Sequence, residues 1–119
     1  MSRQDELVDW VTEGMEPVGT VTSRRMMGGY TLYCDGVIFA IVASDQLWLK
    51  GDAENEAEWD AAGCERFTYQ RKGETATMNY RLAPEDAYDD PDELRRWAAL
   101  GLAAGRRGAA KKKPRRKKG

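Results

Sequence analysis

The chain contains no histidine, which removes Ser-His-Asp and Cys-His nucleophilic catalysis and most familiar zinc sites. Acid–base chemistry would then fall to carboxylates or lysine. The acids gather between Asp52 and Asp60 and between Glu85 and Glu93, where helix starts and solvated faces account for them. No apolar environment is in sequence reach that would split the pKa values of a carboxylate pair. Cys34 and Cys64 stand 30 positions apart with no C-x-x-C spacing, and read as free, structural thiols. Cys34 lies mid-strand without a neighbouring base or helix start to activate it. Gly28-Gly29 sits between strands and does not open a helix, which makes it a tight turn and not a phosphate loop. No catalytic residue, metal ligand or cofactor-binding residue is singled out. The chain reads as a binding or regulatory protein and not as an enzyme.

The residues that do suggest a partner are basic. Arg106, Arg107, Lys111, Lys112, Lys113, Arg115, Arg116, Lys117 and Lys118 put nine cations and no acid into residues 106–119. Taking nine from the 19 Lys and Arg leaves ten in residues 1–105, against all 20 Asp and Glu. The body therefore carries −10 and the tail +9, the asymmetry of a folded acidic unit joined to an interaction tail. Such a polycation suits phosphate backbones, but it holds no aromatic for base stacking and no fixed helix for groove reading. Contact with nucleic acid through it is expected to be non-specific and salt-dependent, with a log–log slope of at most about −8 if every charge meets a phosphate. The other reading is a solubilising tail. Within the body, Arg24, Arg25 and Lys50 form either solvated strand ends or a basic patch for a protein partner.

The elements that must position these residues follow from periodicity. Ser2 can cap a first helix whose Leu7, Trp10, Val11 and Met15 share a face, and Gly14 and Pro17 end it. Four strands are expected at roughly 18–27, 30–35, 37–43 and 46–50, with Asp35-Gly36 as a type I′ hairpin signal. The third, Val37-Ile38-Phe39-Ala40-Ile41-Val42, is apolar on both faces and belongs at the sheet centre. Asp52 is expected to cap a second helix, through about Ala62, with Ala53, Ala57 and Ala61 as its buried stripe. A second hairpin, Glu65–Arg71 and Glu74–Leu82, turns at Lys72-Gly73, and Ala76, Met78, Tyr80 and Leu82 make its inner face against Thr75, Thr77, Asn79 and Arg81. Asp90-Pro91-Asp92-Glu93 opens the last helix, with Leu94, Trp97, Ala98, Gly101 and Leu102 facing inward. Beyond Gly105 no large apolar residue remains, so the tail is expected to be disordered or at most a fraying helical extension.

The order α-ββββ-α-ββ-α predicts an α+β fold of two layers, an antiparallel sheet with packed helices. One domain, residues 1–105, accounts for the folded part. The longest apolar run, Val37 to Ala43, is too short to cross a membrane, and Met1 to Glu6 lacks the character of a signal peptide. A cytoplasmic protein without a membrane partner is expected, and no pattern calls for a particular oligomeric state.

The stretch from Arg25 through Met26-Met27-Gly28-Gly29-Tyr30, the Asp35-Gly36 turn, Phe39-Ala40 and Leu47-Trp48-Leu49-Lys50 resembles the N-terminal domain of the TfoX/Sxy competence-regulator family. Phe67-Thr68-Tyr69, Met78-Asn79-Tyr80, Pro84 and the helix start from Asp90 to Trp97 are similar too, so the likeness covers about residues 3–104. It implies a two-layer α+β fold like that of type III secretion chaperones. It also implies a part in regulating the transcription of DNA-uptake genes, with a cyclic-AMP-dependent activator as protein partner. The matched residues read as turns and core, namely Gly28, Gly29, Asp35 and Gly36 for hairpins and Tyr30, Leu32, Phe39 and Leu49 for packing. No active site is implied.

Overall fold

The computed structural model describes residues 3–26 and 28–112. Helix α1 (Arg3–Gly14) is followed by strands β1 (Val21–Met26), β2 (Gly29–Cys34), β3 (Val37–Ala43) and β4 (Gln46–Lys50). Helix α2 (Glu56–Ala61), strands β5 (Arg66–Arg71) and β6 (Glu74–Leu82), a short 3-10 helix (Glu85–Tyr88) and helix α3 (Pro91–Lys112) complete the order. The expected α-ββββ-α-ββ-α arrangement is the one observed. All strands join one antiparallel sheet in the order β1-β2-β3-β4-β6-β5. The predicted cap at Ser2 lies outside the described residues.

Three hairpins close with two residues in the left-handed region. Asp35 and Gly36 have φ of 50° and 84°, Ser44 and Asp45 53° and 60°, and Lys72 and Gly73 51° and 80°. These are the angles that match the right-handed twist of the paired strands. Ser44-Asp45 adopts them without glycine, helped by the Asp45 amide, which donates to Gln4 Oε1 at 3.2 Å. Strand β1 begins at Val21 and not at residue 18. The amides of Val18 and Gly19 both return to the Met15 carbonyl (2.8 and 2.9 Å) and spend residues 15–20 on closing α1.

The two faces of the sheet differ. On one, Leu32, Cys34, Phe39, Val42, Leu47 and Leu49 meet Leu7, Val11 and Met15 from the α1 region, Trp59 of α2, and Leu94, Ala98 and Leu102 of α3 in a single core. Helix α3 lies directly on the strands. A Cβ added at Gly101 would stand 2.7 Å from the Phe39 carbonyl oxygen, and one at Gly105 would collide with that of Ile38. Asp90 caps α3 as expected, its Oδ1 accepting from the amides of Asp92 (2.9 Å) and Glu93 (3.4 Å). Glu93, placed for a reciprocal capping box, instead accepts from Trp97 Nε1 and Arg96. The far end of α1 receives Arg95 Nη1 on the Gly14 carbonyl at 2.7 Å, a cation where the helix dipole favours one.

Two expectations are corrected. Helix α2 is shorter than predicted, and Ala53, Ala57 and Ala61 are exposed; Asn55 and Trp59 are its buried pair. Trp59 offers far more apolar area than the alanine stripe, so burial follows the indole. Asn55 is held by Nδ2 donating to the Leu100 carbonyl at 3.0 Å. Arg81, assigned to an outer face by alternation, is buried at 2 % exposure. The end of β6 lies between β4 and β5 under α2, where Arg81 Nη1 donates to Asp60 Oδ1 (2.9 Å) and to the Cys64 carbonyl (3.1 Å).

Candidate interaction surface

Among the described residues, no helix packs on the second face of the sheet. Its cluster consists of Ile41, Trp48 and Tyr80, with Met26, Ala43, Phe67, Met78 and Leu82 packed around them, all from strands. Side chains alternate along each strand, so pairing from β1 to β5 brings Arg24, Thr31, Ile41, Trp48, Leu82, Met78 and Phe67 to this one side. The Trp48 and Phe67 rings meet edge-on with centroids 4.9 Å apart, and Phe67 stacks with Tyr69 at 6.3 Å. Lys50 Nζ lies 5.2 Å from the centroid of Tyr80, within cation–π range. Burial pushes the Tyr80 hydroxyl up to about 12.

Charge divides between the layers. Of the ten Lys and Arg in residues 1–105, six (Arg24, Arg25, Lys50, Arg66, Arg71 and Arg81) are on strands, whereas only Glu74 of the 20 acids is. The other acids lie on helices, turns and loops. Arg66 and Arg81 are turned to the helical side, where Glu56 and Asp60 of α2 hold them.

The structure separates the residues proposed as a basic patch. Arg24 and Lys50 share the open face but lie on β1 and β4, which are three strands apart. Arg25 alternates to the helical side, with its guanidinium 5.6 Å from the centroid of Tyr30. The Tyr30 hydroxyl donates to Asp5 Oδ1 at 2.6 Å, and that bond raises its pKa.

Among the proposed nucleic-acid contacts, Arg106, Arg107, Lys111 and Lys112 belong to α3. Arg106 and Lys111 are exposed. Arg107 is engaged: its Nε and Nη2 donate to the two Asp52 carboxylate oxygens at 2.7 and 2.9 Å. This fork holds the Asp52 carboxyl below the usual carboxylate range. Lys113, Arg115, Arg116, Lys117 and Lys118 lie outside the described residues.

Both cysteines are free. Burial pushes the thiols of Cys34 and Cys64 up, away from nucleophilic character. Among the described residues no group of three or more His, Cys, Asp or Glu is arranged to hold a metal, and no helix is long and apolar enough to cross a membrane. Sequence reading missed Tyr33, Phe67, Tyr69 and Arg71 as surface residues. The alternation of Phe67, Tyr69 and Arg71 along β5 was the available signal.

The sequence has known relatives. The family model described as the TfoX N-terminal domain matches residues 13–105. The chain belongs to the TfoX N-terminal domain family. It is similar to the DNA transformation protein TfoX1 of Aliivibrio fischeri, with 33 % identity over 66 residues, covering 56 % of this chain and 32 % of the relative. It is also similar to Protein Sxy of Escherichia coli K12, with 28 % identity over 97 residues, covering 77 % of this chain and 44 % of that protein. The chain thus spans less than half the length of either relative. The TfoX-type match includes the whole sheet and α3 to Gly105 and stops where the run of cations begins.

Proposed function

We propose that this chain is a non-catalytic regulatory or accessory protein of TfoX type acting in the cytoplasm on competence-related transcription. Its folded body binds a protein partner, and its basic C-terminal segment contacts nucleic acid without sequence preference. The observation that carries this reading is the charge division. An acidic body of −10 is joined to nine cations in residues 106–119, of which Arg107 is committed to Asp52 while Arg106 and Lys111 stand exposed on α3. The name of the TfoX1 relative, a DNA transformation protein, supports the biological setting.

Cutting the chain at residue 105 would sever α3 and remove the Arg107 fork, so the test neutralises charge instead. Lys111, Lys112, Lys113, Arg115, Arg116, Lys117 and Lys118 are replaced by Gln, and gel mobility shifts on duplex DNA are run at two salt concentrations. The native chain should bind more tightly at low salt and lose affinity steeply as salt rises, and the neutralised chain should show a much shallower slope. Equal binding by both forms would remove the tail from nucleic-acid contact and leave it a solubilising extension on a protein-interaction module.

A further inference from the structure

The basic tail offers charge but no stacking platform. The helix-free face of the sheet offers both. We propose that this face binds single-stranded nucleic acid, with Tyr33, Phe67 and Tyr69 stacking on bases and Arg24 and Arg71 meeting phosphates.

The argument begins with what covers the face. Helices α1, α2 and α3 all contribute to the opposite core, and the cluster on this side is built from strand residues alone. Tyr33, Phe67 and Tyr69 are half-buried, with side chains neither sealed in a core nor standing free. Arg24 on β1 and Arg71 on β5 are exposed at the two edges of the sheet. Six strands at a spacing of about 4.8 Å make a platform roughly 24 Å wide between them. That width suits a short extended strand of the size that single-strand binding folds cover, from about 4 nucleotides upward. Thr22, Arg24 and Tyr33 line a shallow recess of about 370 Å³ at the β1 edge.

Charge and polarity choose the occupant. In a body of net −10, this face carries three strand cations, Arg24, Lys50 and Arg71, and one acid, Glu74, which pairs across from Arg71; Arg25, Arg66 and Arg81 are turned to the helical side. The acids on the helical layer direct a polyanion to the sheet side. The apolar side chains of the face, Met26, Phe67, Met78 and Leu82 among them, are half-buried against their strand neighbours and do not stand fully exposed. Among the described residues the large hydrophobic side chain that stands clearly exposed is Val18, which lies before β1. Half-buried rings interleaved with arginine are the combination that binds unpaired bases with little sequence preference. Duplex DNA would hide its base faces, and among the described residues this face is built of strands, with no helix set to enter a groove.

The inference stands apart from the tail reading, and its test is made in the tail-neutralised full-length chain. Fluorescence anisotropy with a labelled twelve-residue oligo-dT at two salt concentrations compares that chain with the same chain carrying Arg24→Gln and Arg71→Gln, or Tyr69→Leu. Tyr69→Leu keeps apolar burial and removes the stacking ring. Arg96→Gln, an exposed cation of α3, is the control, and far-UV circular dichroism checks folding. The tail-neutralised chain should still bind oligo-dT, and an unlabelled duplex of the same length should compete at least about tenfold less well. The double arginine variant should lower the salt slope by about 1.4, at roughly 0.7 per phosphate on a single strand. Tyr69→Leu should weaken binding about tenfold. Absence of oligo-dT binding once the tail is neutral would overturn the inference while leaving the tail reading intact. So would equal competition by duplex, an Arg96→Gln loss as large as that of the two sheet arginines, or face variants that bind normally yet lose a co-purifying protein.

Discussion

The two faces of one sheet are made by alternate residues of the same strands, yet they perform different tasks. On the helical side Phe39, Leu47, Leu49 and Val42 are completely buried beneath α1 and α3. On the other, Ile41, Trp48 and Tyr80 are nearly buried by strand neighbours alone, and around them the side chains remain half-accessible. The difference lies in what supplies the second layer. Helices bring leucines and close-packed glycines; the open side relies on the aromatic, aliphatic and methionine side chains of its own strands and on the aliphatic parts of cations, which shield rings while keeping their charge in water. Stability is therefore concentrated on one side, and the capacity to meet a partner on the other.

Substitutions of graded size sharpen that contrast. Leu94 is fully buried between α1 and the sheet, so Leu94→Ala should cost about 2–5 kcal/mol in urea unfolding. Gly101→Ala places a methyl against the Phe39 carbonyl of the sheet and should cost about 1–3 kcal/mol by forcing α3 away. On the open face Met78→Ala deletes a side chain of similar size from a half-buried site and should cost only about 1–2 kcal/mol. A loss there equal to that of Leu94→Ala would mean that both faces bear the fold alike.

Two titrations probe the same division more finely. Tyr80, on the open face, has its pKa pushed up to about 12 by burial, and that of Tyr88, half-buried against the helical-side core, is raised by burial as well. The folded state therefore holds phenolic protons that the unfolded chain releases near pH 10. Stability from these groups is complete below pH 10 and should fall as pH rises toward 12. Tyr80→Phe should flatten this alkaline loss, as read by thermal melts at pH 9 and 11. The smallest effect is expected from Arg107→Gln. Asp52 is depressed by the Arg107 fork, so its contribution is present above the unfolded carboxylate value near 3.9 and disappears as pH falls through its folded value. Melting temperatures of native and variant chains should differ slightly at pH 7 and converge in acid.

Much of the local structure was legible because it depends on near neighbours. Asp35-Gly36 and Lys72-Gly73 announced left-handed turns, Asp90 announced a helix start, and the apolar Val37 to Val42 run announced a central strand. The interaction surface was less legible. Arg24 and Arg25 look like one patch in sequence, but adjacent strand residues point to opposite faces. Arg81 looked solvated, and only the insertion of β6 between β4 and β5 buried it. The alanines of α2 looked like an inner stripe, but the packing of Trp59 beside Trp97, with centroids 5.6 Å apart, turned them outward.

The sequence by itself determined the element order, the hairpins and the opposition between an acidic body and a basic C-terminal run, since these follow from backbone preferences and charge counts along the chain. Only the tertiary structure decided which arginines share a face, that Arg107 is bound to Asp52, and that the three described helices all pack on one side of the sheet. Those outcomes depend on pairings between residues tens of positions apart. The directions of side chains there follow from the strand order and the bulge between Leu32 and Tyr33, which no local preference encodes.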